Sequence, residues 1–196
     1  PFITPSDAAD KSTFSQSIYG VKDEDVAYAR ADLTARTITV TDATSSGYPV
    51  RAFQTKEALP LASKGWYVDL PAAGERIVQD AQIVSNFLVT ASMIPEGNAC
   101  ESSGTGYINA LDAFTGTSGG TSFFNLDNGT TTDDTAVGGL PVGSVNLGVG
   151  MPTRPVLLPG QIVLGGSGDG SAAGLGGSPT FGMRWQRVSW REVRQD

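Results

Sequence analysis

The density of turn residues constrains the fold of this chain more than any other feature of its sequence. Short runs rich in β-branched and aromatic residues alternate with clusters of Gly, Pro, Ser and Asp, a pattern typical of strands joined by turns. The 196 residues include 25 Gly and 11 Pro, and only 17% are charged, whereas a helical bundle would carry more Glu, Lys and Leu. The sequence therefore predicts an all-β fold with long loops rich in Gly, Ser and Asp.

The apolar runs between the turn clusters give the candidate strands. Their predicted bounds are Gln16–Val21, Ala35–Thr41, Val50–Gln54, Gly65–Leu70, Arg76–Asp80, Gln82–Ile94, Gly106–Asp112, Ser122–Asn125, Pro155–Leu158, Gln161–Leu164 and Thr180–Val193. The run Gln82–Ile94 is too long for one half-exposed strand. It is either two strands with a turn at Ser85-Asn86 or a single buried strand.

One segment has helical spacing, and three segments have the composition of loops. Val26, Arg30 and Leu33 fall on one helical face behind Asp23, so Asp23–Leu33 is a candidate short helix. The predicted loops are Gly116–Gly120, Asn125–Gly139 and Gly165–Ser178, the last rich enough in glycine to be expected to be mobile.

Charge and hydropathy argue against two classes of partner. The net charge of −7 supplies no basic face for nucleic acid and no general attraction to anionic lipid. No window reaches the roughly 18 apolar residues of a membrane span. The first residues lack the basic and apolar regions of a signal peptide. We therefore expect either a cytoplasmic protein or a chain whose targeting segment lies elsewhere.

The sequence contains no histidine, which restricts the chemistry it can perform. Ser-His-Asp and Cys-His nucleophilic sites and histidine-based metal sites are excluded. Ser63-Lys64 is interpreted as a loop pair, because neighbours on a strand point to opposite faces. Asp23-Glu24-Asp25 and Asp133-Asp134 could pair for acid–base work, but solvated turn residues are the simpler interpretation. No catalytic residue is assigned, and we expect a protein that is not an enzyme.

Three loop motifs are candidate ligand or modification sites. In the Asn125–Asp134 loop, the oxygen-bearing residues Asn125, Asp127 and Asp133 have a spacing that suits calcium. However, Gly129 stands at the third ligand position, so an acidic hairpin tip is the alternative. The segment Gly166–Gly170 superficially resembles a phosphate-binding loop, yet no helix follows it. Asn128-Gly129-Thr130 matches a glycosylation sequon. We expect no required cofactor, with calcium as the one candidate ion.

Aromatic and charged residues suggest further roles. Trp66, Tyr67, Trp185 and Trp190 could form a stacking platform for sugars or a hot spot for a protein partner, although aromatic residues in strands more often pack in the core. Two neighbouring pairs, Glu75-Arg76 and Arg191-Glu192, are candidates for structural ion pairs. Cys100 has no partner cysteine within the chain.

A specific family resemblance runs through nearly the whole chain. The block Lys64–Gln79 resembles the Gly-Trp-Tyr-Leu-Asp-Leu-Pro…Gly-Glu-Arg-Val signature of the PilY-type tip-associated adhesins of bacterial type IV pili. Other matching elements follow in the family's order. They are Ser17–Val26, Arg30–Thr39, Ile94-Pro95, Cys100 with its Gly/Ser turn, Tyr107–Gly116, Phe124-Asn125, Gly139–Leu158 and Arg187–Arg194.

The resemblance implies the C-terminal region of a larger, exported protein with a modified β-propeller. Residues 1–196 would form the last blades of a partial ring that continues towards the N-terminus. At about 40 to 50 residues per blade, they amount to about four blade-equivalents. Family members act with minor pilins at the pilus tip, cell surface or outer membrane, supporting pilus biogenesis, twitching motility and adhesion. Some bind calcium, but Gly129 departs from that pattern.

Two rival functions stay open at this point. One is a fragment of a quinone-cofactor propeller dehydrogenase, although the tryptophan-docking repeats of those rings are not found in the sequence. The other is a carbohydrate-binding β domain that would use Trp66 or Trp185, and buried indoles would exclude it.

Overall fold

The computed structural model describes residues 15–98, 101–127, 139–158, 160–168 and 172–177. Within these ranges the chain forms thirteen strands and one three-residue 3₁₀ turn at Arg30–Asp32. The strands are β1 Ser17–Val21, β2 Thr34–Arg36, β3 Ile38–Ser45, β4 Tyr48–Phe53, β5 Gly65–Asp69, β6 Gln82–Val84, β7 Phe87–Asn98, β8 Glu101–Asp112, β9 Phe124–Asn125, β10 Ser144–Val145, β11 Val156–Leu158, β12 Gln161–Gly165 and β13 Ala172–Gly177.

These strands form three sheets. The first has the order β1-β5-β2, with β1 antiparallel and β2 parallel to β5. The second has six strands in the order β3-β4-β10-β8-β7-β6, and the third has the order β11-β12-β13-β9. Across the described ranges, no helix offers the length and apolar character needed to cross a bilayer. The predicted all-β class is confirmed.

The six-stranded sheet buries a different apolar cluster on each of its faces. Successive side chains of a strand point to opposite faces, so Val50 and Ala52 of β4 lie opposite Phe53. Likewise, Ile108 and Ala110 of β8 lie opposite Leu111, and all of these residues are buried. Burial on both faces places this sheet between the other two.

The first cluster joins the six-stranded sheet to the four-stranded sheet. Its buried members are Val50, Ala52, Val89, Ile108, Ala110, Phe123, Phe124, Leu126, Val142, Val145, Val149, Ile162 and Leu164. Phe123 contacts Phe87 and Phe124, with ring centroids 4.9 and 5.3 Å apart. Such aromatic contacts add to the free energy of burial.

The second cluster joins the opposite face to the three-stranded sheet. Its buried members are Ile18, Phe53, Trp66, Val68, Leu70 and Leu111. The Trp66 indole lies under Gly20 of the neighbouring strand, where any side chain would collide with the ring. Gly65 has a φ of +149°, and a side chain there would meet the carbonyl of Gly20. These two glycines let β1 and β5 close over the indole.

Most predicted strands are present within two residues of their predicted bounds. The run Gln82–Ile94 divides into β6 and β7 with the turn at Ser85-Asn86, so the first of its two interpretations is confirmed. Gly116–Gly120 is a loop as predicted. The predicted strand Thr180–Val193 lies outside the described residues.

The predicted helix Asp23–Leu33 is wrong. Only Arg30–Asp32 is helical, and the preceding acidic segment bends instead. Asp25 has a φ of +56°, and its N–H donates to the Asp23 carboxylate, a local contact that competes with helical hydrogen bonds. Val26 is exposed, so this segment has no apolar face to bury.

The predicted strand Arg76–Asp80 is also wrong. Arg76 forms a single bridge to Met93 of β7, and the chain then leaves the sheet. The edge beyond β7 is taken by β6, whose two-residue connection gives it a local advantage in pairing. The predicted strand Ala35–Thr41 is divided at Thr37, where the chain passes from the three-stranded to the six-stranded sheet.

The predicted loop Gly165–Ser178 is wrong over much of its length. Gly165 ends β12, and Ala172–Gly177 forms β13 between β12 and β9. The N–H groups of Ser167 and Gly168 donate to the carbonyls of Met151 and Val149. Because backbone hydrogen bonds need no side chain, glycine can be ordered by pairing despite its low strand propensity.

Candidate docking surface

The outer face of the three-stranded sheet carries an ordered group of polar and aromatic side chains. Alternation along β1 and β5 places Ser17, Tyr19, Tyr67 and Asp69 on the face opposite Ile18, Trp66 and Val68. The register pairs Ser17 with Asp69 and Tyr19 with Tyr67, whose ring centroids lie 6.0 Å apart. The apolar alternate positions thus fix which side chains face outward.

Arg30 lies across this face and ties its residues together. Its Nη2 donates to both carboxylate oxygens of Asp69 at 2.7 and 2.8 Å, and its Nη1 donates to the Tyr19 hydroxyl at 2.6 Å and to Ser17 Oγ at 3.1 Å. The guanidinium carbon lies 3.7 Å from the centre of the Tyr67 ring, a cation–π contact. The tyrosines are therefore held in place before any partner arrives.

Two cations of this region, Arg30 and Lys64, are paired with carboxylates. Hydrogen bonds from Ser17 and Arg30 lower the pKa of Asp69, and the same carboxylate raises the pKa of Arg30. Lys64 Nζ lies 2.7 Å from Glu24, and this contact lowers the pKa of Glu24 and raises that of Lys64. Arg30 and Lys64 thus each face an anion, while Lys22 Nζ donates to the Ser63 carbonyl.

The lowered pKa of Asp69 predicts a pH dependence. Its stabilising contribution is fully present above the unfolded-state pKa, near 3.8, and is lost as the pH falls through the lower folded-state value. We expect the difference in unfolding free energy between the wild-type chain and Asp69→Asn to shrink below about pH 4. Urea unfolding across the acid range measures it. Asp80→Asn is the control, since this exposed carboxylate only approaches Arg154 at 3.9 Å. A difference that does not change with pH would contradict the prediction.

An apolar groove adjoins the end of β1. Its walls include Val21, Leu59, Ile83 and Phe114, and Trp66 contributes to its lining. The groove has a volume of about 410 Å³. Val21, Ile83 and Phe114 are 54%, 67% and 66% exposed, so large apolar side chains face solvent at one place. Together with Tyr19, Arg30 and Tyr67, this groove is here named the β1 surface; contiguous exposed apolar groups of this kind are typical of protein interaction sites.

A second polar group is buried between the sheets. Arg51 donates from Nη1 to both carboxylate oxygens of Glu75 at 2.8 and 2.9 Å, and both residues are almost fully buried. Ser92 donates to Glu75, Asn109 donates to Ser92, and Ser144 donates to Asn109. Because these groups satisfy one another across four strands, we interpret the network as structural.

Ser63 and Lys64 do not form a catalytic pair. The Ser63 hydroxyl donates to the Gly65 carbonyl and accepts from Thr34, while Lys64 pairs with Glu24. Within the part of the chain that the structure describes, no three Asp, Glu, Cys or His side chains group as a metal site would require. Asp23 and Glu24 are exposed; Asp23 accepts from the Asp25 N–H, and Glu24 accepts from the Tyr28 hydroxyl and from Lys64.

The structure separates the predicted aromatic residues. Trp66 is only 2% exposed, and its Nε1 donates to the Ala113 carbonyl at 3.1 Å, so it cannot serve as a sugar platform. Tyr67 is half-buried and belongs to the β1 surface. Trp185 and Trp190 lie outside the described residues. The ion pair predicted near Glu75 exists, but its partner is Arg51 on β4.

Several sequence motifs reach beyond the described residues. In the candidate calcium loop, Asn125 ends β9 and Asp127 lies two residues further on, while positions 128–138 are not described, so this site stays a prediction. The same holds for Cys100, the sequon Asn128–Thr130, Asp133-Asp134 and Arg191-Glu192. Gly166–Gly168 uses its backbone donors to bind the 149–151 segment.

Sequence reasoning missed Tyr19, Arg30, Val21, Ile83 and Phe114 as members of one surface. Tyr19 and Val21 sit at alternate positions of a strand with apolar residues on both sides, a pattern that signals exposed apolar groups on the second face. Arg30 lay in the segment predicted as helix. Phe114 follows the sharp turn at Asp112, whose carboxylate accepts from the N–H groups of Phe114 and Thr115.

Comparison with known proteins identifies a relative. The chain is 31% identical over 186 residues, 91% of its length, to a type IV pilus biogenesis factor PilY1 homolog of Xylella fastidiosa strain Temecula1. The chain is PilY1-like. The PilY-type resemblance predicted from the sequence is thereby confirmed.

The PilY1-like chain spans 15% of the length of that relative. No model of a known protein family matches the chain, and no solved structure does.

Proposed function

We propose that this chain is a non-catalytic part of a type IV pilus biogenesis factor, in which it acts as a scaffold and a protein-docking surface. The observation that carries the proposal is the 31% identity to the PilY1 homolog over nearly the whole chain. By the same reasoning the chain works outside the cell, at the bacterial surface or outer membrane and at the pilus tip. Minor pilins and the pilus tip complex are its partners there.

The β1 surface supports a role in docking. Tyrosine and arginine are enriched among the residues that contribute most to protein–protein affinity, and Tyr19, Tyr67 and Arg30 meet on one face. Arg30 is already fixed by Asp69 and Ser17, so little side-chain freedom remains to be lost on binding. The adjoining groove offers apolar area beside the Lys22 side chain.

We further propose that the three sheets are blades of an incomplete propeller. Two apolar clusters connect the six-stranded sheet to a sheet on either side, which supports face-to-face stacking of blades. A ring made from only these sheets would leave edges uncovered, and the remainder of a larger protein, or a partner, would cover them. The proposal needs no cofactor, and calcium at Asn125–Asp134 would be an addition to it.

The test is deletion of residues 15–177, in frame, from the bacterium that encodes this chain. We expect loss of surface pili and of twitching motility, with reduced attachment to surfaces, and restoration by the intact gene. Immunoblotting must confirm that the truncated product accumulates. Electron microscopy counts the pili, and motility is read from the spreading zone on agar.

A pair of matched variants tests whether the β1 surface itself is needed, as distinct from the presence of the whole segment. Phe114→Ala removes an exposed ring from the groove, whereas Leu158→Ala removes an exposed side chain from β11 in another sheet. Reduced piliation with Phe114→Ala alone supports the docking role. Normal piliation and motility after the deletion, with the truncated protein present, would overturn the proposed function.

A further inference from the structure

The outward edge of β1 has backbone groups without a strand partner among the described residues. The backbone N–H of Leu70 donates to the Gln16 carbonyl, and the backbone N–H of Lys22 donates to the Lys64 carbonyl. Backbone groups of alternate residues point to the same side of a strand. Even-numbered residues of β1 therefore face β5, and Ser17, Tyr19 and Val21 present their N–H and C=O groups outward.

This edge lacks the features that protect other strand edges in the described part of the molecule. The sequence of β1, Ser-Ile-Tyr-Gly-Val, contains no charge and no proline, and its register with β5 is regular. By contrast, β3 has two register shifts and carries Asp42, and the edges at β2, β6, β9 and β11 have three residues or fewer. Exposed edges without protection readily add another strand.

The apolar groove continues the same edge. Gly20, Val21 and Lys22 line it, so it begins where β1 ends, and Ile83 and Phe114 also contribute to its lining. An extended segment that pairs with β1 would place alternate side chains over Tyr19 or into this groove. Strand addition of this kind draws affinity from backbone hydrogen bonds and specificity from pockets at alternate positions.

The charges around the edge define the composition of the occupant. Arg30 is paired with Asp69 and Lys64 with Glu24, while Lys22 Nζ donates to the Ser63 carbonyl at 2.6 Å. A basic segment would find no free carboxylate among these contacts, and an acidic segment would have to displace the Lys22 bond to Ser63; either would lose hydration on binding. The complementary segment is uncharged.

We infer that the β1 surface binds an extended, uncharged segment of a partner polypeptide, apolar at every second position, as an added strand along Ser17–Val21. This inference rests on the proposed docking function and specifies its mode. A second copy of this chain fits less well, because an edge of five residues and one groove is small against the roughly 1,000 Å² of a stable interface. Short extended peptides, by contrast, commonly bind to exposed sheet edges as an added strand.

The probe is a synthetic seven-residue peptide of alternating Thr and Val with blocked ends. We expect binding by calorimetry, together with slower hydrogen exchange at the amides of Tyr19 and Val21. A control peptide with its central valine replaced by proline cannot donate the central backbone hydrogen bond and should not bind. Both peptides are tested on the full 196-residue chain.

Two variants test the location. Val21→Lys should weaken peptide binding by about tenfold or more, since a charge on the edge opposes strand pairing. Val156→Lys is the matched control, as this residue is 56% exposed on β11, compared with 54% for Val21. Circular dichroism checks that both variants are folded. Equal affinity in the two variants would overturn the inference.

Hydrogen exchange at the Tyr19 and Val21 amides also shows whether something other than the peptide occupies the edge. Protection of Tyr19 and Val21 in the chain alone, independent of concentration, would show that the chain covers its own edge and would overturn the inference. Protection that rises with protein concentration would assign the edge to a second copy and overturn it equally. Unprotected amides with no peptide binding would do the same. The pilus assay is read separately, so the two proposals can fail independently.

Discussion

Replacing Glu75 with alanine is expected to lower the free energy of unfolding by about 3–5 kcal/mol, a cost typical of breaking a buried ion pair. Glu75 is fully buried and accepts hydrogen bonds from Arg51 and Ser92. Without the carboxylate, Arg51 keeps its charge in the interior, stacked 3.6 Å from the Tyr107 ring centre, with no counterion. The remaining charge, more than the lost attraction, produces the loss.

Urea unfolding monitored by tryptophan fluorescence measures this loss. The informative control is Arg51→Met combined with Glu75→Leu, which removes both charges and keeps similar volumes. Because apolar replacement of a buried pair is often neutral or better, the double variant should regain most of the stability. Glu75→Ala with wild-type stability would show that the buried pair is not required for the fold. A double variant as unstable as the single one would instead place the cost in lost packing.

Trp66→Ala is the second change expected to have a large effect, again about 3–5 kcal/mol of unfolding free energy. The indole occupies the centre of the cluster between the three-stranded and six-stranded sheets and donates to Ala113. Gly20 lies directly over the indole and has no side chain, so it cannot fill the cavity that Trp66→Ala would leave. Thermal unfolding by circular dichroism gives the change.

Two other variants define what the Trp66 result means. Trp66→Phe keeps most of the apolar volume and should cost clearly less than Trp66→Ala. Tyr67→Ala, on the outer face of the same strand, should change stability little while reducing partner binding, because Tyr67 contacts Arg30 at the surface. Equal destabilisation by Trp66→Ala and Tyr67→Ala would contradict the assignment of opposite roles to neighbouring residues.

The strand pattern could be predicted because it depends on local chemistry. Ser85 and Asn86 form the turn between two apolar runs, and β6 and β7 pair across it. The resemblance of the block Lys64–Gln79 to the pilus family was likewise carried by a continuous stretch of residues. Features encoded by neighbours in the sequence are the ones that sequence analysis recovers.

The features that escaped prediction depend on distant partners. Ala172–Gly177 is ordered as β13 because β12 and β9 hydrogen-bond to its backbone on both sides, which no property of its glycines could indicate. Glu75 was correctly placed in an ion pair, but Arg51, 24 residues away, could not be chosen over its neighbour Arg76. The β1 surface needed the same information, since Arg30 and Asp69 meet only after folding.

The pairing order of the three-stranded sheet has a consequence for synthesis of the protein. β1 and β2 are both made before β5, which lies between them, so neither can form its sheet until Gly65–Asp69 has left the ribosome. Until then the apolar side of β1 has no indole to cover it. Long-range pairing of this kind slows folding and prolongs the exposure of apolar side chains and unpaired strand edges. β1 and β2 are therefore prone to aggregation while the chain is being made.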